Sequence, residues 1–131
     1  MPDTNAIITA LTTICGAKSV ITDADETAPY LTDWRKHYTG TATAVVHPGS
    51  TDEVSRVLAY ANEHGVPIVP QGGNTGLCGG ATPDTSGDAI VLSLKRMDQV
   101  LSLDLKSNTM VVQAGCILET IQRSAEAEGL L

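Results

Sequence analysis

One stretch limits what this chain can become. Pro70-Gln71-Gly72-Gly73-Asn74-Thr75-Gly76-Leu77-Cys78-Gly79-Gly80 holds five glycines in eleven residues. No regular element runs through such a stretch, because glycine loses the most conformational freedom on ordering. The fold must carry a coil here, and glycines gathered this way usually serve positive φ or a ligand lying close on the backbone, the alternative being a mobile glycine-rich surface loop. Successive N–H groups bared by small residues form an anion-binding concavity. Asn74 and Thr75 add side-chain donors, and the combination suits a pyrophosphate. Two familiar phosphate loops do not fit. A Walker loop closes on Gly-Lys-Ser/Thr, and no Lys lies between Arg56 and Lys95. A GxGxxG dinucleotide loop opens into a helix, whereas Gly73-x-x-Gly76-x-x-Gly79 leads to Ala81-Thr82-Pro83-Asp84.

Around the loop, helix and strand patterns alternate. Asp3 and Thr4 can cap a helix that carries Ile7, Ile8, Leu11 and Ile14 at helical spacing and closes at Gly16. Val20-Ile21 reads as a short strand, and residues 23–40 as a short helix plus an irregular connection. Ala44-Val45-Val46 is a strand stopped by Pro48-Gly49. Ser50 and Glu53 have capping-box spacing. They precede a helix with Val54, Val57, Leu58 and Ala61 on one face, closed by Gly65. Val66 to Val69 reads as a buried strand, with Pro67 near its start or on an edge. This βαβ order predicts parallel strands. Ala89 to Leu94 is a further strand. Val100 to Leu105 and Thr109 to Ala114 pair around Lys106-Ser107-Asn108. Ile117 to Glu128 is a last helix, with Leu118, Ile121 and Ala125 on one face. The expected class is α+β, a small mixed sheet flanked by helices with the glycine loop at one sheet end.

Charge and composition narrow the chemistry. The net charge is −7, and Arg35-Lys36 and Lys95-Arg96 form no basic stripe. Nucleic acid is therefore not an expected partner. A dinucleotide held by backbone N–H groups needs no such stripe. With one Trp, three Tyr and no Phe, a pocket of stacked aromatics is hard to build, so a cofactor is expected to be held through its phosphates. Cys15, Cys78 and Cys116 form no CxxC pair; Cys15 and Cys116 read as core residues and Cys78 as a loop thiol. His37, His47 and His64 are scattered, and no metal site is expected. Arg35 beside Trp34 reads as a solvated cation packing on the ring. No catalytic residue is expected in the chain. No apolar run approaches the ~20 residues of a membrane span. Met1-Pro2-Asp3-Thr4-Asn5 lacks the basic start and apolar stretch of a signal peptide, so the expected setting is cytoplasmic.

The run Val66–Gly80 resembles the pyrophosphate loop of FAD-linked oxidases of the vanillyl-alcohol oxidase/PCMH flavoprotein type, most of all the branch of D-lactate dehydrogenase, D-2-hydroxyglutarate dehydrogenase and glycolate oxidase. His47-Pro48-Gly49-Ser50-Thr51-Asp52-Glu53-Val54, Ile90–Met97 and Val112-Gln113-Ala114-Gly115-Cys116 with Leu118 resemble flanking motifs of that family, in the same order. The resemblance implies a PCMH-type FAD-binding subdomain, with residues 1–40 an N-terminal helix and irregular segment and residues 41–131 the first part of the FAD-binding domain. It implies cofactor contacts at Gln71, Gly72, Gly73, Asn74, Thr75, Gly76, Leu77, Gly79 and Gly80, and at Gly115. Relatives that bind flavin covalently through this loop have His where Asn74 stands, so FAD is expected to be noncovalent. Ala81 stands where related loops often have Ser. The implied parent activity is oxidation of a D-2-hydroxy acid, D-lactate or D-2-hydroxyglutarate, to the 2-oxo acid, with that small molecule as substrate of the full-length protein. Relatives continue well past the point matching Leu131, where their second flavin subdomain, substrate domain and metal-binding histidines lie, so the chain alone is expected to be inactive. The alternatives are a noncatalytic nucleotide-binding or partner-docking module, to which the apolar Leu130-Leu131 end is suited, and a flavin oxidase of another alcohol or sugar.

Overall fold

The computed structural model describes residues 2–130. Local signals set the helix ends. In α1 (Thr4–Cys15), Asp3 accepts the Ala6 N–H at 2.8 Å, and Gly16, at φ 86°, returns its N–H to Thr12 O. A short β1 (Val20–Ile21) and one turn of helix, α2 (Ala24–Thr27) capped by Asp23, follow. Strand β2 (Ala44–Val46) leads to α3 (Thr51–His64), which ends on left-handed Gly65 at φ 66°. Ser50 Oγ accepts the Glu53 N–H at 3.2 Å as the capping box predicts. The reciprocal bond differs: Glu53 Oε2 reaches past Ser50 to the Gly49 N–H at 2.6 Å. One orphan donor is still satisfied, one residue earlier than expected.

The sheet runs β1-β2-β4-β3, where β3 is Ile68–Gln71 and β4 is Ile90–Ser93. β1 is antiparallel to β2, while β2 and β3 both run parallel to β4. The predicted parallel β2–α3–β3 unit is therefore present, but β4 lies between its strands. Central position explains why β2 and β4 are buried throughout, on both faces, with apolar runs Ala44-Val45-Val46 and Ile90-Val91-Leu92. β3 is an edge strand two residues later than expected. Its ladder uses the carbonyls of Pro67 and Gln71, so by alternation the Pro70 nitrogen falls on the open side, where a missing N–H breaks nothing.

Helices α1 and α3 pack together, and the core joins Ile7, Leu11 and Cys15 to Val46, Val57, Ile90 and Leu92. Residues before position 40 thus share one core with those after it. The hairpin β5 (Val100–Asp104) and β6 (Thr109–Val112) forms a separate two-stranded sheet with a register shift between Val100 and Ser102. It closes on Asn108 at φ 54°. In α4 (Leu118–Glu126) only part of the expected face is covered: Ala125 is buried and Ile121 half-buried, but Leu118 is 66% exposed. Cys116 is half-buried rather than core. Leu131, one half of the apolar end, lies outside the described residues.

Arg96 ties the sheet end together. Its Nη1 donates to Ser19 Oγ at 2.7 Å and to His47 O at 2.8 Å, and it lies 4.0 Å from Glu53 Oε2. Arg96→Met keeps the aliphatic stem but removes both bonds. Urea unfolding should show a loss of about 2 kcal/mol.

Candidate functional site

Two parallel neighbours cannot be joined by a tight turn, so the chain from β3 to β4 must travel back along the sheet. The glycine segment is the outward half of that journey, at the C-terminal end of β3. Gln71, the last residue of the strand, is 2% exposed. Its Nε2 donates to Tyr30 O and to Ala81 O, both at 2.9 Å. That one amide closes the loop at its base, residue 71 to residue 81. Asn74 sits at its turn in left-handed conformation, φ 54°. Its Nδ2 donates to Thr32 O at 2.8 Å and Pro29 O at 3.3 Å. Of the two side-chain donors that the sequence suggested for a phosphate, Asn74 is thus directed to carbonyls, as Gln71 is, while Thr75 stands exposed.

The loop also offers its main chain. Among the described residues, no N–H from Gly72 to Ala81 has an acceptor within the protein; Thr82 is the first to find one, Gly79 O at 3.1 Å. A Cβ built on Gly72, Gly76 or Gly80 would meet nothing within 4 Å, and one on Gly73 only Thr75 Cγ2 at 3.9 Å. These glycines leave a cradle that side chains would fill, the fit a diphosphate requires. Thr75, Gly76 and Leu77 are exposed at the loop's tip with Cys78. Gly79 is different: at φ 77° it lies under the Tyr38 ring, 2.9 Å from where its Cβ would stand.

The loop lines a cleft of about 470 Å³ whose lining joins Pro29, Tyr30, Gln71, Gly72, Gly73 and Asn74 to Ser93, Lys95, Asp98, Gly115 and Ile117. Gly115 therefore does reach the same cleft as the loop. It also has a packing reason to be glycine, since its Cβ would stand 1.8 Å from Leu94 O. Thr75, Gly76, Leu77, Gly79 and Gly80 are not among the lining residues. Lys95 and Asp98 were missed by motif reading. Alternation along β4 held the signal for Lys95, because it falls on the side of the strand where Ser93 interrupts an apolar run. Pro29 and Tyr30 had no local signal at all.

Under this region His47 is 7% exposed, with Tyr30 edge-on to its ring at 5.3 Å between centroids. Its Nδ1 has no partner among the described residues. Burial, then Lys95 and Arg96, hold its pKa below the ordinary value. Cys15 is pushed up to about 11, first by burial and then by Glu53, so it stays an inert core thiol. Among the described residues no cluster of His, Cys, Asp or Glu has metal-holding geometry, and no helix is long and apolar enough to cross a membrane.

Residues 42–131 match the FAD binding domain family. The chain belongs to that family. Its relatives include bovine mitochondrial D-2-hydroxyglutarate dehydrogenase, 41% identical over 112 residues covering 86% of this chain and 20% of that protein. The glycolate oxidase protein GlcD of Bacillus subtilis is 43% identical over 101 residues, 77% of this chain and 21% of that one. The chain thus spans about a fifth of the length of these relatives. In fold it resembles alkyldihydroxyacetonephosphate synthase (TM-score 0.85, 19% identity, 98% of this chain and 26% of that one). It also resembles p-cresol methylhydroxylase (TM-score 0.80, 23% identity, 96% and 25%). The FAD-binding domain keeps the α+β, PCMH-type architecture that the motifs implied.

Two measurements follow from this geometry. Gly115→Ala drives a methyl into the Leu94 carbonyl, and thermal unfolding should show a loss of about 2 kcal/mol. His47 gives a pH dependence. Above about pH 6.5 it is neutral folded and unfolded alike. As pH falls through that value the unfolded chain takes up a proton that the folded chain refuses, so stability falls until the depressed folded pKa is reached. His47→Gln should flatten the loss of urea midpoint as pH falls below about 6.5.

Proposed function

We propose that this chain is the diphosphate-gripping part of an FAD-dependent oxidoreductase acting on D-2-hydroxy acids, with D-2-hydroxyglutarate or D-lactate as the substrate of the longer protein. One observation carries the reading: consecutive main-chain amides from Gly72 to Ala81 lack internal acceptors among the described residues, over glycines whose Cβ positions are open. The N–H groups of Gly72, Gly73, Asn74, Thr75, Gly76, Leu77, Gly79 and Gly80 donate to diphosphate oxygens. Gln71 closes the loop at its base, and Gly115 lines the same cleft. Lys95 adds a cation to the cleft lining, where a doubly charged group needs it in a chain of net charge −7.

When bound, FAD supplies the redox chemistry, and the protein binds and orients it. Attachment is noncovalent on this reading, since the Asn74 amide has no nucleophilic nitrogen and is held by two carbonyls. Residues 41–131 form the front of the flavin domain, and residues 1–40 pack against it. The substrate class is that of the named D-2-hydroxyglutarate dehydrogenases and GlcD; the parts of those proteins that this chain does not match would hold the substrate. A cytoplasmic setting belongs to this reading, although the bovine relative is mitochondrial by name.

Titration of the full chain with FAD tests the proposal. Amide resonances of Gly72–Gly80 should shift and flavin fluorescence should change. Gly76→Val should weaken binding by about 2 kcal/mol, about thirtyfold, while the unfolding free energy from urea titration changes by no more than about 0.5 kcal/mol. Loop resonances that stay fixed at saturating FAD would sink the assignment.

A further inference from the structure

The glycine loop is zipped along its length to an earlier piece of chain, Pro29–Gly40. Asn74 donates to Pro29 O and Thr32 O, and Gln71 to Tyr30 O. The Tyr38 ring covers Gly79, and Gly40 fits against Pro83 O with no room for a Cβ (1.9 Å). Beside it Thr41 N–H donates to Asp84 O at 2.8 Å. The strap has its own internal structure. Thr32 and Thr39 form an antiparallel bridge, Gly40 N–H donates to Leu31 O at 2.9 Å, and Lys36 turns at φ 59°. Buried Asp33 accepts the Tyr38 N–H at 2.8 Å and the Arg35 N–H at 3.3 Å. These bonds hold its carboxyl below the usual carboxylate range, the Tyr38 bond most of all. A second trough of about 510 Å³ lies between Trp34 and Lys36 of the strap and Gly73 and Asn74 of the loop. It shares Pro29, Gly73 and Asn74 with the main cleft.

None of the strap falls within the residues that match the FAD binding domain family. We infer that Pro29–Gly40 is nonetheless the outer wall of the cofactor trough, and that Asn74 is the positioning residue that latches it to the loop. The inference rests on the FAD reading above. Asparagine combines what the position needs. It accepts left-handed φ, and its amide has two hydrogens for two carbonyls. Glycine has the backbone freedom but no donor. Aspartate would set acceptors against acceptors. With the latch gone, the strap must be reordered at each binding event, and that cost is taken from affinity.

The test titrates the full chain with FAD by flavin fluorescence, for the unaltered protein, Asn74→Gly, Asn74→Asp and Asp33→Ala. The last variant loosens the strap's turn without removing any bond to the loop. Hydrogen exchange at the Tyr38 and Gly40 amides and the urea midpoint are read on the same samples. The expected result is a lowered urea midpoint with the chain still cooperatively folded in the absence of urea, faster strap exchange and about tenfold weaker FAD binding in all three variants. If Asn74→Gly and Asp33→Ala bind FAD as the unaltered chain does, or if Asp33→Ala frees the strap with no effect on affinity, the wall assignment is overturned and the FAD reading stands. If the unaltered chain itself fails to bind FAD, the reading of the loop fails, and the inference with it.

Discussion

Gln71 occupies the last position of an edge strand, shielded from water, and its single Nε2 gives a donor to each of two carbonyls from distant parts of the chain. Much depends on that pair of bonds. The Ala81 bond makes the glycine segment a closed excursion instead of a slack connection. The Tyr30 bond brings in a residue from forty-one positions earlier and sets the near wall of the cleft. A buried amide that lost either partner would bear the desolvation cost of an unmet donor, so the arrangement is self-enforcing. The loop amides can face outward because the Gln71 and Asn74 side chains, not the loop's own backbone, fix its shape.

This division of labour suits an acidic protein. A diphosphate approaching a chain of net charge −7 meets an unfavourable overall field, and Asp98 at the cleft adds to it. Main-chain N–H groups are partial positive charges that need no ionised side chain and no reorganisation when the anion arrives. Lys95, which also lines the cleft, gives it a local cation. The His47 ring lies beneath, kept neutral by burial and by the two cations beside it, so it adds no further charge.

Much of the architecture could be read from local pattern. Asp3, Ser50, Gly16 and Gly65 mark helix ends through caps whose chemistry is local. The β2 and β4 runs announced buried strands. What pattern could not supply was order in space: nothing near β3 indicates that β4 inserts between it and β2, because strand neighbours are chosen by packing over long sequence distances. The Leu118 face of α4 misled for a related reason. Periodicity shows which residues share a face, and leaves open whether anything covers it.

For the site, the sequence alone determined the chemistry. A glycine run with no lysine and no following helix offers an anion its backbone first, with Asn74 and Thr75 as the side-chain donors the sequence adds. The tertiary structure decided the rest. It assigned Gln71 and Asn74 to the scaffold by giving their amides carbonyl partners more than forty residues away. It brought Pro29, Tyr30, Lys95 and Asp98 to one cleft, and it set Gly115, held by contact with Leu94, apart from the loop glycines that stand open. The reason is physical. Backbone freedom and hydrogen-bonding capacity belong to each residue, but the partner that satisfies a donor is fixed only when distant segments pack.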